Sequence, residues 1–171
     1  YYSLSQELHN GKTINVPVFM AVASDDETIN AQSVNNYFCK NVTHNKKRMI
    51  WYQGVNKEVN SCPGVTIIHN NNSDVKQEYR FINHSHVGIT LSPDNKHYGF
   101  DKEYRQCLNY FGTKSYEQCI GSNQLTLYGE LNLLNEEEII GDKLLRRVTA
   151  NPNFDSLMVE INSFIYQTSQ P

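Results

Sequence analysis

The stretch Val16-Pro17-Val18-Phe19-Met20-Ala21-Val22-Ala23-Ser24-Asp25-Asp26-Glu27-Thr28-Ile29 decides how this chain is expected to fold. Its first eight residues, 16–23, form a continuous apolar run of the length typical of a central parallel strand buried on both faces. The run is followed closely by two acids, Asp25 and Asp26. In open parallel sheets, active groups lie just beyond the carboxyl ends of the strands. The stretch therefore predicts a buried strand that carries two carboxylates to a functional edge.

Strand and helix patterns alternate along the rest of the chain. The spacing of apolar residues predicts helices over 28–39, 136–148 and 154–166, and short strands at 49–52 and 65–69. Residues 93–135 hold few periodic segments, so we expect an irregular insertion there that could form a lid. The order of these elements is an α/β pattern, and 171 residues suit a single domain. Because two or three parallel strands do not make a stable doubly wound sheet, a complete sheet needs further strands upstream.

Composition gives no reason to expect a nucleic-acid or membrane partner. The net charge is −3 and the pI is near 6.1, so no basic surface is indicated. No apolar run approaches the roughly 18 residues that span a bilayer. The chain begins at Tyr1 without a Met or a signal peptide, so we expect a mature product or a fragment.

The four cysteines point to an oxidising compartment. Cys39, Cys62, Cys107 and Cys119 show no CxxC spacing, which disfavours a zinc site. Of the three pairings available, the sequence-local one, Cys39–Cys62 with Cys107–Cys119, closes two modest loops rich in Asn, Gly, Tyr and Lys. Disulfides predict a secreted or periplasmic protein. The alternative is four buried thiols in a cytosolic chain.

A histidine cluster, Asn83-His84-Ser85-His86-Val87-Gly88-Ile89, follows the acids by about sixty residues. An acid at a strand end, followed by a His later in the chain, is the layout of the last two members of a Ser…Asp…His triad. Residue chemistry alone leaves other roles open. Both acids could stabilise the start of the following helix.

The two histidines, His84 and His86, also have other roles open to them. Either could be structural, or the pair could bind a metal. A metal would need a third ligand, for which the candidates are His69, His97 and Asp74. Their spacing matches no standard site, so we expect neither metal nor cofactor.

The acid stretch and the histidine cluster together resemble the carboxyl-terminal half of an α/β-hydrolase of the serine esterase or lipase-like kind. Residues 16–29 are similar to the family's strand and acid turn, G-x-x-D-x-x-V, with Ala23 in place of Gly and Ile29 in place of Val. This alignment selects Asp26 over Asp25 as the triad acid. The resemblance implies that the chain carries the last parallel strands of the family's sheet with their flanking helices.

The histidine loop of the same family resembles Ser85-His86-Val87-Gly88-Ile89, where a Ser-His pair precedes small and apolar residues. This match selects His86 over His84 as the triad base. The final predicted helix, 154–166, is similar in position to the helix that closes the family's fold. The long segment 93–150 exceeds the usual tail after the His.

The resemblance implies a nucleophile that this chain does not contain. The serine elbow, G-x-S-x-G, does not occur, and the family order places it before the acid and hence upstream of Tyr1. We therefore expect the carboxyl-terminal part of a serine hydrolase acting on small acyl esters, with an upstream hydrolase segment as its partner and no activity alone. The alternative is a non-catalytic binding or interaction module with an α/β fold.

Overall fold

A three-stranded parallel sheet forms the first part of the fold. The computed structural model of the chain describes residues 11–54, 59–69, 79–121, 126–135 and 141–170. The sheet has the order β1-β2-β3 and consists of β1 (Val18–Ala23), β2 (Lys47–Gln53) and β3 (Val65–His69). Helix α1 (Ala31–Asn41) joins β1 to β2. This parallel arrangement confirms the predicted α/β class.

A second, two-stranded parallel sheet follows the histidine cluster. It pairs β4 (Thr126–Gly129) with β5 (Leu144–Arg147). Helix α2 (Lys114–Gly121) precedes β4, and helix α3 (Phe154–Ser169) ends the fold. Short 3-10 turns lie at Leu108–Tyr110 and Leu131–Asn135.

The first sheet is covered on both faces, as its central strand requires. Met49 and Trp51 of β2 face α1, where they pack with the fully buried Phe38. Ile50 and Tyr52 point the other way and pack with Leu157 of α3. Because successive strand residues point to opposite faces, a strand covered on both faces needs a continuous apolar run. The run at residues 49–52 therefore marks the centre of the sheet.

Helix α1 begins later than its sequence pattern predicts. The expected start was residue 28, but Asn30 is the N-cap and its side chain accepts a hydrogen bond from Ser33 N at 2.9 Å. The residues before it belong to a turn closed by Asp26, whose Oδ1 accepts hydrogen bonds from Thr28 N and Ile29 N. Two capping side chains in succession thus replace the first predicted turn of helix.

The predicted helix over 136–148 is wrong where the structure describes it. Residues 144–147 form strand β5, and 136–140 lie outside the described residues. Leu145 and Arg146 are both fully buried, although neighbouring strand residues point to opposite faces. The apolar residues Leu144, Leu145 and Val148 have a spacing that fits one face of a helix, and so short a run does not distinguish a helix from a strand.

The insertion 93–135 is more regular than expected. It holds α2 and β4, while 122–125 lie outside the described part of the chain.

Both predicted disulfides are confirmed: Cys39–Cys62 ties α1 to the segment before β3, and Cys107–Cys119 closes a loop onto α2. Among the described residues, no helix combines the length and apolar character needed to cross a bilayer.

Candidate functional site

The acid turn after β1 holds Asp26 in one fixed orientation. Its side chain is only 3% exposed. Oδ1 accepts hydrogen bonds from Thr28 N at 2.7 Å and Ile29 N at 3.0 Å, which satisfy that oxygen and stabilise its negative charge. The other oxygen, Oδ2, is directed across the turn. Asp26 is therefore both a local capping residue and a carboxylate with one oxygen available.

The available oxygen contacts the histidine that the resemblance selects. His86 Nδ1 lies 2.9 Å from Asp26 Oδ2, across sixty residues of sequence. The His86 side chain is 43% exposed, and its Nε2 makes no hydrogen bond within the described part of the chain. A buried carboxylate thus orients an imidazole whose second nitrogen is open to a reacting partner.

The neighbouring acid, Asp25, has a different environment. Its Oδ1 accepts a hydrogen bond from Ser24 Oγ at 3.1 Å, and its Oδ2 accepts one from Asn83 Nδ2 at 2.9 Å. Ser24 Oγ in turn accepts a hydrogen bond from Gly54 N at 2.6 Å. Asp25 therefore joins the ends of β1 and β2 to the histidine loop and makes no contact with His86.

Gly54 fits against Asp25 so closely that a methyl group has no room. A Cβ at Gly54 would overlap the Asp25 carboxylate. We expect Gly54→Ala to lower the free energy of unfolding by about 2 kcal/mol, because the carboxylate would have to leave its two donors. Urea unfolding measures the loss. Gly121→Ala is the matched control, since a Cβ there meets no atom within 4 Å; equal stability losses in the two variants would contradict the prediction.

The other histidine of the cluster, His84, belongs to the core. Its ring stacks on Tyr52 with centroids 4.1 Å apart and meets the edge of Phe81 at 4.7 Å. Nε2 lies 2.8 Å from Asn151 Oδ1, which can only accept, so Nε2 carries the proton. Burial lowers the pKa of His84 to about 4, although the hydrogen bond to Asn151 opposes the shift. Its Nδ1 is buried and hydrogen-bonds to no described group.

The alternative in which His84 and His86 share a metal is not supported by their positions. They bind different partners, Asn151 and Asp26. His97 pairs with Glu103 at 3.0 Å, and Asp74 lies outside the described residues. Across the described ranges, no three His, Cys, Asp or Glu side chains come together as ligands.

The sequence alone did not indicate Glu130 or Arg147, which extend the site into the second sheet. Glu130 is fully buried, and Arg147 donates to it through Nε at 3.1 Å and Nη2 at 3.3 Å. Burial raises the pKa of Glu130, and the hydrogen bond from Arg147 opposes this. Arg147 Nη2 also donates to Thr28 Oγ1 at 3.1 Å. No sequence signal could have found this pair, because residue 147 was expected in a helix.

The second sheet is also bonded to the histidine loop. Asn83 Oδ1 accepts a hydrogen bond from Glu130 N at 2.8 Å, while its Nδ2 donates to Asp25. Asn83 is 1% exposed, so this Asn-X-Ser position is closed to glycosylation in the folded chain. One side chain therefore fixes the acid turn, the histidine loop and the second sheet relative to one another.

The arrangement can accept and return a proton. Asp26 holds Nδ1 of His86, so Nε2 is the nitrogen that exchanges protons with a substrate or nucleophile. A cleft of about 530 Å³ opens beside Asp26 and is bordered by Ile29 and Trp51. All four cysteines are in disulfides, so the chain has no thiol nucleophile.

The chain matches no protein-family model, and no curated protein or solved structure is significantly similar to it.

Proposed function

We propose that this chain is the carboxyl-terminal part of a serine hydrolase that acts on carboxylic esters. In this proposal Asp26 and His86 are the acid and the base of a Ser-Asp-His triad. The observation that carries it is the 2.9 Å contact between Asp26 Oδ2 and His86 Nδ1, made by a buried carboxylate and a partly exposed ring. Here one nitrogen is fixed and the other is free to react.

The proposed chemistry uses this geometry. His86 Nε2 takes the proton from the hydroxyl of the upstream serine as that oxygen attacks the ester carbonyl. The proton then passes to the departing alcohol as the carbon–oxygen bond breaks, leaving an acyl-serine. Water attacks this acyl group in the second half, with His86 again as base. His86 then gives that proton to the serine oxygen as the bond between the acyl carbon and this oxygen breaks, and the acid product leaves. Asp26 stabilises the imidazolium that forms in each half.

The sheet offers a place for the missing part. Strand β1 pairs only with β2, so no described strand pairs with its other edge. Edge strands are stabilised when their free N–H and C=O groups are paired or covered. An upstream segment that adds parallel strands beside β1 would bring its own strand ends to the edge where Asp26 lies. The partner we propose is therefore the serine-bearing segment of the same hydrolase.

We also propose that the protein works outside the cytosol, either secreted or periplasmic. The support is the pair of disulfides, each closing a short sequence-local loop. Such bonds persist in oxidising compartments and are uncommon where glutathione keeps thiols reduced.

Labelling with a fluorophosphonate, which reacts with activated serines, tests the proposal. The 171-residue chain alone should not be labelled, whereas its complex with the segment encoded upstream should be labelled on that segment. His86→Ala in this chain should abolish the labelling, and His97→Ala, a control at an exposed histidine, should leave it unchanged. Labelling of this chain itself would overturn the proposal, as would full labelling with His86→Ala. A complex that is not labelled at all would favour the binding-module alternative.

A further inference from the structure

A second cleft, of about 350 Å³, lies on the histidine side of the site. We call it the tyrosine cleft. Its apolar lining comes from Val87, Leu91, Tyr98 and Tyr104. Its polar lining comes from Gln106, Arg147 and Thr149. The volume lies near the lower end of the roughly 300–1,000 Å³ typical of small-molecule sites, so it suits a compact group better than a long chain.

The two tyrosines are exposed but held in place. Tyr98 is 40% exposed and Tyr104 38%, and their ring centroids lie 5.2 Å apart in an edge-to-face arrangement. Tyr98 O accepts a hydrogen bond from Thr149 Oγ1 at 2.6 Å, and Tyr98 N donates to Asn95 Oδ1 at 2.9 Å. Tyr104 N donates to His97 O at 3.0 Å. Exposed aromatic rings on a fixed backbone give contact area at little entropic cost, as in binding sites.

Hydrogen bonds connect the tyrosine cleft to the catalytic pair. Val87, 51% exposed, directly follows His86 and lines the cleft. On the opposite side, Arg147 donates to Thr28 Oγ1, and the amide of Thr28 donates to Asp26. The cleft is therefore bordered by the residue that follows His86 and by an arginine that is hydrogen-bonded to the acid turn.

We propose that the tyrosine cleft binds an aryl group of the ester substrate, an inference that rests on the proposed function and narrows its substrate class. Aromatic rings favour edge-to-face partners with centroids about 4.5–7 Å apart, which the tyrosine pair can extend to a third ring. Val87 and Leu91 supply apolar contacts for the ring. Arg147 Nη1 hydrogen-bonds to no described residue, so it is available to an oxygen substituent on that ring.

Binding of a non-hydrolysable analogue tests this inference on the full 171-residue chain. Acetanilide, an aryl amide, is titrated into isotope-labelled protein and followed by NMR, with N-hexylacetamide and methyl glucoside as comparison ligands. Saturable shifts should centre on Val87, Tyr98 and Tyr104. Acetanilide should bind about 5-fold more tightly than N-hexylacetamide, the ratio expected from one aromatic contact.

Variants separate the cleft from the rest of the surface. Tyr98→Leu and Tyr104→Leu should each weaken acetanilide binding about 5-fold, because Leu keeps apolar bulk but loses the ring contact. Tyr166→Leu, at a 70% exposed tyrosine of α3, should leave it unchanged. Preserved dispersion of the NMR spectrum shows that each variant is folded, and the ligand preference of the unmodified chain tests the inference independently of any variant.

The outcomes distinguish this inference from the proposed function. Tighter binding of N-hexylacetamide or methyl glucoside, or no saturable shifts with acetanilide, would overturn the aryl assignment even if the complex is labelled by fluorophosphonate. Tight acetanilide binding without any labelling of the complex would leave an aryl-binding cleft and reject the hydrolase.

Discussion

In the proposed hydrolase, Asp26→Asn is expected to lower kcat for ester hydrolysis about 10⁴-fold, the loss typical of a triad whose histidine takes the wrong tautomer. The structure gives the reason. Oδ1 is held by the amides of Thr28 and Ile29, so an asparagine would keep its oxygen there and turn its NH2 group toward His86. That group donates, so His86 Nδ1 would have to accept and the proton would move to Nε2. A protonated Nε2 cannot take the serine proton.

Asp25→Asn is the matched control, one residue away. Asp25 bonds to Ser24 and Asn83 and makes no contact with His86. We expect kcat to stay within about tenfold of the unmodified enzyme, because the change leaves the tautomer of His86 alone. Steady-state hydrolysis of an aryl ester by the reconstituted enzyme measures both variants. Equal losses in the two variants, or an active Asp26→Asn enzyme, would contradict the assignment of Asp26.

The second large effect is a loss of stability in acid that comes from His84. The pKa of His84 is about 4 in the folded chain, because burial disfavours the charged ring, and about 6.5 when unfolded. The unfolded state therefore binds a proton first as the pH falls. Through His84, the free energy of unfolding is unaffected above pH 6.5, decreases between pH 6.5 and pH 4, and changes no further below pH 4. The full decrease is about 3 kcal/mol.

Urea unfolding between pH 7 and pH 4 measures this effect. His84→Gln keeps a hydrogen-bond donor and does not titrate, so it should lose stability at pH 7 but show a smaller decrease on acidification. His97→Gln, at an exposed histidine, should keep the decrease of the unmodified chain. The prediction fails if His84→Gln retains the full pH dependence, because the acid loss would then come from other groups.

Local patterns in this sequence predicted the structure correctly where that structure depends on one short segment alone. Strand β3 has the predicted bounds, Val65–His69. The pairings Cys39–Cys62 and Cys107–Cys119 are confirmed, since short loops limit which cysteines can meet. The helix predicted over residues 144–147 was wrong because the spacing of Leu144, Leu145 and Val148 also fits a helix.

The sequence by itself determined the α/β class and a strand that ends near Asp25 and Asp26, and the family resemblance selected Asp26 and His86 for the catalytic proposal. That strand, β1, was predicted to be central and buried on both faces, but it lies at an edge of the described sheet and four of its six residues are only partly buried. Apolar patterns indicate the class and the strand because both depend on residues close together in the chain. Only the tertiary structure showed that Asp26 contacts His86, that His84 is a core residue, and that Arg147 reaches the acid turn. Those facts depend on hydrogen bonds between segments separated by sixty residues or more, whose geometry exists only after the sheets have packed.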